Sequence, residues 1–425
     1  MTTIRNIKAG PLSRLDAQLA ALYYAHSPQA AAMTPFTSLV SQLQGSMLPD
    51  AGVGGLVTID AAAADGDGAR LLRQLRAIGL RDGASFGAVA SGEIPVGRIA
   101  ALLKVSDLGH ASEVGVVPAA GLVDNQADQS LSTDAVRAEH FGIEGAGVTI
   151  GVISDSFNTS GNGSKAEDIA NNDLPGAATP FFGSAPPTTK VLDDFRGGTD
   201  EGRAMAQIIH DEAPGANIVF ATGEGGEAAF ARHIINLANA GAKIIVDDLT
   251  YFAEPDYQDG VIAQAIEQVE RRGVIYVSSA GNEARNGFET IWRDSGVIGP
   301  DNEHLAKLDT GRAPQFLPIT IPDGDTVTIA AQWDQPAFSA DGSAHSTSDE
   351  DLFLYDASGK HLLAENLENN ATKTSDPATL IQYTNSTGVA LTANIALGHF
   401  AGPKPGDIKI VVFDDGAGAT VAHSP

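Results

Sequence analysis

"AGVTIGVISDSF" (146–157), "ANIVFATG" (216–223), "AKIIVDDLTY" (242–251) and "GVIYVSSAGN" (273–282) are short, continuous apolar runs. Runs of this kind belong to strands buried on both faces of a sheet. A fifth run, "TKVLDDF" (189–195), follows the first of them on the same pattern. Between the runs stand "EGRAMAQIIHDEA" (201–213), "GEAAFARHIINLANAG" (226–241) and "DGVIAQAIEQVERRG" (259–273), with apolar residues at helical spacing. Strand and helix alternating in this way predict an α/β unit with a doubly wound parallel sheet. Its site should lie at the carboxyl ends of the strands.

On either side the pattern changes. Residues 1–50 read as an Ala-rich helical leader broken at Pro49. From 51 to 118, "GLVTIDA", "ASFGAVASGEIP" and "LGHASEVGVV" read as strands, and "GARLLRQLRAIG" and "VGRIAALLKV" as helices, together a small α+β domain. Residues 119–142 are polar and turn-rich, as an exposed linker would be, and 143–312 hold the α/β unit. From 313 to 425 helices give way to alternating strands such as "DTVTIAAQWDQP" and "DIKIVVFDDG", which predicts an appended or inserted antiparallel β-sandwich.

Composition narrows the partners. Lys and Arg number 26 against 53 Asp and Glu, a net charge of −27, which repels nucleic acid and anionic membrane surfaces. With no cysteine, a thiolate nucleophile and a thiolate-bound zinc are excluded. The N-terminal stretch lacks a signal-peptide pattern, and no run of 18 apolar residues occurs. An acidic, cysteine-free chain suits a secreted bacterial protein, which is the expectation for its location, although cytosolic chains share that composition.

Chemistry-bearing groups gather where the strands end: Asp155 after "GVIS", Asp247 and Asp248 in "IIVDDLTY", and Asn282 in "SSAGN". Glu201 opens a helix, where the macrodipole favours an anion. Singly, each is more often a cap or turn former than a catalyst; the set in this order on these elements makes the case.

In that order residues 146–283 resemble the subtilisin-type serine peptidases and their sedolisin relatives. "GVTIGVISDSF" is similar to the strand that ends in the triad aspartate, "EGRAMAQII" stands where the family's histidine helix begins, and "GVIYVSSAGNE" resembles the strand delivering the oxyanion asparagine. The resemblance implies serine endopeptidase activity on a protein or peptide substrate. It assigns Asp155 as orienting acid, Glu201 as general base and Asn282 as oxyanion donor, with Asp248, Leu249 and Thr250 on the substrate-pairing strand. It likens the α+β domain to the propeptides of these enzymes and the linker to a maturation site.

Two departures stand out. Sedolisins also use a glutamate as base, but their aspartate four residues on is Met205 here. Two carboxylates, Glu201 and Asp155, are then expected to share a proton and work in a mildly acidic range. His210 lies half a turn away around the helix and roughly 13 Å along it, so it is not expected to replace the family's imidazole. The second departure is the nucleophile. No serine at a helix start follows Asn282; Ser295, Ser343, Ser386 and Ser424 lack the context, and Ser184 precedes Glu201 in a Pro-rich loop. A serine segment missing from this chain and a peptidase-like scaffold that binds peptides or other ligands both remain open. Acidic stretches such as "STSDEDLFLYDASG" (346–359) and "FDDGAG" (413–418) offer oxygens of the kind calcium takes, or are solvated turns.

Overall fold

The computed structural model describes residues 11–16, 19, 20, 22, 23, 55–113, 116–118, 127–133, 143–176, 186–283, 285–309, 311, 313–414 and 418–422. The chain divides into two compact units. One comprises Met1–Gly115, Phe252–Val261 and Glu283–Pro425, the other Val116–Tyr251 and Ile262–Asn282. Most of the 1–50 leader and of the 119–142 linker lies outside the described residues.

The first unit opens with an antiparallel sheet in the order β2-β3-β1-β4, made of β1 (Leu56–Ala63), β2 (Arg81–Phe86), β3 (Val89–Pro95) and β4 (Leu108–Glu113). Helix α1 (Gly68–Ile78) is capped by Asp67, which accepts from the Arg70 N–H, and buries Leu71, Leu72 and Leu75. These meet Ile59 and Ile94 from the sheet and Leu12, Leu15, Leu19 and Leu22 from the leader in one core. Residues 84–95, which read as one strand, are instead a hairpin: Gly87 adopts φ 53, and the chain reverses there. The expected helix over 96–105 shortens to a 3₁₀ turn, Val96–Arg98, running into Ile99–Leu102.

The same unit holds two antiparallel sheets. One orders Gly287–Ile291, Asp407–Asp414, Thr326–Trp333 and Ala378–Thr384. The other has seven strands, among them Leu391–Ala401 between Leu317–Ile321 and Asp349–Asp356. Trp333, Ile329 and Ile410 from the first share a core with Leu317, Leu352 and Ile395 from the second. Strands of both sheets already begin at Gly287 and Asp294, upstream of the 312/313 boundary drawn from the loss of helices. The described residues between 285 and 311 hold no helix, so helical periodicity carries no signal of that earlier start.

The second unit is built on a five-stranded parallel sheet in the order β11-β9-β6-β8-β7. Its strands are β6 (Thr149–Ser154), β7 (Thr189–Asp193), β8 (Asn217–Thr222), β9 (Ile244–Asp247) and β11 (Ile275–Ser278). Helices α2 (Glu201–Glu212), α3 (Glu227–Asn239) and α4 (Val261–Glu270) alternate with them, as the periodicity predicts. Gly202 lets α2 approach the sheet: a Cβ there would lie 2.2 Å from the Phe220 ring and 2.8 Å from the Ser156 carbonyl. A separate two-stranded ladder pairs β10 (Leu249–Tyr251) antiparallel with β5 (Val116–Pro118). Among the described residues, no helix is long and apolar enough to cross a membrane.

Candidate active site

The carboxyl ends of β6, β8 and β9 and the first turn of α2 bring together Asp155, Glu201, Asp248 and Glu224. Asp155 follows β6, is buried, and spends its carboxylate on backbone and hydroxyl donors. Oδ2 accepts from the Thr199 N–H and from Thr199 Oγ1 at 2.7 Å. Oδ1 accepts from the Ser156 N–H and, at 3.1 Å, from the N–H of Glu201 itself. Asp155 thereby satisfies an N–H that the first turn of a helix leaves without an intrahelical partner.

Asp200, just before the helix, takes a left-handed conformation with φ 66. Its side chain accepts from Thr159 N–H at 2.7 Å and Ser160 Oγ at 2.7 Å, while Arg203 Nη2 donates to it at 3.1 Å. The loop 155–160 and the start of α2 are thus laced together through two aspartates, and Glu201 is presented from a fixed frame.

The Glu201 carboxyl is buried, and its Oε2 accepts from Ser154 Oγ at 2.7 Å. Burial pushes the group up to about 7; the Ser154 hydrogen bond opposes the rise, and the charges of Asp248 and Asp155 add to it. Asp155 acts on the Glu201 carboxyl through its charge. Glu224, after β8, is pushed up to about 8 by burial and by the Asp155 charge. A carboxylate at this level accepts protons near neutrality.

Asp247, next to Asp248, ends β9. It is buried and accepts from Tyr276 Oη at 2.5 Å and Ser278 Oγ at 2.7 Å, tying β9 to β11. Leu249 and Thr250 are register partners of Pro118 and Val117 on β5. The Tyr251 hydroxyl donates to the Gly223 carbonyl at 2.5 Å, which pins the far end of β10 to the turn after β8. Asn282 is exposed and lies just beyond β11.

His210 is buried beside Asn172, Asp173 and Asp211, and burial lowers its pKa. Met205 packs against the cluster of Phe157, Phe220 and Leu174, so the position of the sedolisin aspartate is apolar. Ser295 donates to the Leu305 carbonyl at 2.8 Å, Ser343 to Asp341 at 2.9 Å, and Ser386 is exposed on a sandwich turn; all three belong to the other unit. Ser184 and Ser424 lie outside the described residues. In the acidic stretch 346–359, Asp349, Glu350 and Asp351 are buried, and Glu350 pairs with His399 Nδ1 at 2.6 Å. Among the described residues no group of three or more His, Asp or Glu is arranged to hold a metal ion.

Ser154, Thr199 and Glu224 were missed by sequence reasoning. A serine ending an apolar strand and a glutamate in "TGEGG" carry no local signal of a site; their strand ends adjoin only in the folded sheet.

No protein-family model matches the chain, and no curated protein does. Among solved structures it is similar in part to the prenylagaramide maturation protease PagA, at 16% identity and TM-score 0.24 over 36% of this chain and 51% of that one. It is similar to MycP1 with its N-terminal propeptide removed at 19% and 0.22, over 40% and 54%. For Pseudomonas aeruginosa AlgX the values are 14% and 0.19, over 54% and 48%. The chain thus spans about half the length of each. At these scores, function has to be read from the chain's own residues.

Proposed function

We propose that this chain carries the acid–base machinery of a serine-type endopeptidase of the subtilisin/sedolisin kind, with Glu201 in place of the usual histidine. The observation that carries the reading is Glu201 itself: a buried carboxyl at a helix start, bonded to Ser154, flanked by Asp155 and Asp248, and poised at about 7. In this reading Glu201 takes the nucleophile's proton and returns it to the leaving amine. Asp155 holds the helix start that presents it, and Asn282 donates to the oxyanion. The acid limb of activity then falls near neutrality, higher than two carboxyls sharing a proton in a mildly acidic range would put it.

The substrate is an extended peptide. β10 accepts an antiparallel strand, as its pairing with β5 illustrates. That register runs Val116 opposite Tyr251 and Pro118 opposite Leu249. A propeptide-like role for the α+β domain, with the linker as maturation site, is part of this proposal, as is a working place outside the cell.

The acyl step needs a serine from outside the described residues. The test is cleavage of a quenched-peptide library and fluorophosphonate labelling between about pH 3 and pH 9, on this chain and on the longest product of its native gene. Expected are a labelled serine outside the described residues and a loss of about 10²–10⁴-fold in Glu201→Gln. Undiminished cleavage by Glu201→Gln overturns the assignment. Peptide binding with no hydrolysis in either form leaves the second reading, a peptide-binding scaffold, which the β5–β10 ladder favours.

A further inference from the structure

Ser154 closes β6 with no exposed surface, and its Oγ is 2.7 Å from Glu201 Oε2. A hydroxyl donating to a carboxylate at this distance has the geometry of a nucleophile and its base. Complete burial rules out that role, because a substrate carbonyl cannot reach Oγ. What the contact does is select one conformation of a side chain with three rotatable bonds. Glu201 makes this one side-chain hydrogen bond among the described residues, through Oε2, so Oε1 is the oxygen left to take a proton.

We infer that Ser154 is the positioning residue for Glu201, fixing its carboxyl and favouring its ionised form, the task that the subtilisin resemblance gives to Asp155. Asp155 is committed elsewhere: its oxygens are occupied by Thr199, Ser156 and the Glu201 N–H. The division is one of backbone and side chain. Asp155 holds where Glu201 starts, and Ser154 holds where its carboxyl points.

The charged groups around the pair are Asp155 at the end of β6, Asp248 after β9 and Glu224 after β8. On α2 and just before it, Arg203 and Asp200 are bonded to each other. Burial and the charges of Asp248 and Asp155 favour the protonated carboxyl, and the Ser154 hydroxyl opposes them. Removing its hydroxyl leaves the acids unopposed, and Glu201 titrates higher.

The inference rests on reading Glu201 as the base, yet its test does not need turnover. Carbon-13 NMR of glutamate-labelled full chain follows the Glu201 carboxyl, identified by its loss in Glu201→Gln. Ser154→Ala is expected to raise its midpoint by about one pH unit, the shift that loss of one hydrogen bond to a charged group brings. Ser154→Thr restores it. Ser154→Cys, of similar volume but a weak donor, gives an intermediate shift and serves if the alanine variant does not fold. An unchanged midpoint in folded Ser154→Ala or Ser154→Cys overturns the inference. A raised midpoint in a protein whose Glu201→Gln variant still cleaves peptides would sink the catalytic reading while leaving the positioning role of Ser154 in place. In the active gene product, Ser154→Ala should move the acid limb of the rate profile upward by the same amount. Complete loss of fluorophosphonate labelling in a folded Ser154→Ala protein would instead mark Ser154 as the nucleophile and overturn the positioning role.

Discussion

The N–H of Glu201 donates to Oδ1 of Asp155 at 3.1 Å, while the Glu201 side chain turns away to Ser154. One aspartate therefore anchors the helix that presents the base without bonding to the base's carboxyl. The two groups couple through their charges and the shared frame, which makes their substitution effects separable.

Asp155→Asn should lower stability more than it changes the charge around Glu201. An amide keeps one acceptor but turns an N–H₂ toward donors that the carboxylate satisfied. A loss of about 2–3 kcal/mol is expected, read as a lower urea midpoint with unchanged slope. A midpoint equal to that of the unmodified chain would show that the anchor is not energetic.

Glu201 sets a pH dependence of stability. Its folded-state pKa, raised from 4.5 to about 7, means the folded chain binds this proton more tightly than the unfolded chain. The associated stabilisation is present below about 4.5 and is lost as pH rises through about 7. Glu201→Gln should therefore raise the melting temperature at pH 8 by about 2–4 °C, about 1 kcal/mol, and change it little at pH 5. Equal effects at both pH values would contradict the raised pKa.

Gly202→Ala places a methyl 2.2 Å from the Phe220 ring and 2.8 Å from the Ser156 carbonyl. The backbone carbonyl cannot yield as a flexible side chain can. Destabilisation of about 1–3 kcal/mol is expected from overpacking, despite alanine's better helix propensity. A stabilised variant in urea titration would mean that α2 can lift from the sheet without cost.

Val117→Pro tests the β5–β10 ladder. Val117 is the central register partner, opposite Thr250, and proline has no N–H to give a ladder. Hydrogen exchange at Leu249–Tyr251 should speed up while Thr149–Ser154 in the parallel sheet stays protected. Unchanged exchange at residues 249–251 would show that β5 contributes nothing to holding β10.

Much of the frame was legible before folding. Apolar runs alternating with amphipathic helices announced the parallel sheet over 146–282, although the last run, Ile275–Ser278, is mostly exposed rather than buried on both faces; the strand ends located Asp155 and Asp248, and the helix start located Glu201. The Gly87 reversal was less legible, because alternation continues through "FGAV" and only a positive φ separates hairpin from strand. The sandwich strands from Gly287 were hidden for a similar reason: their partners, such as Asp407–Asp414, are far along the chain, and pairing at that distance leaves no local period. Periodicity reports which face of an element is buried, and so the elements and their order follow from residue types alone. Which hydroxyl meets the Glu201 carboxyl, which acid spends itself on a helix start, and which distant segment pairs with Leu249–Tyr251 are decided by side-chain direction and loop closure, and these exist only once the strands stand side by side.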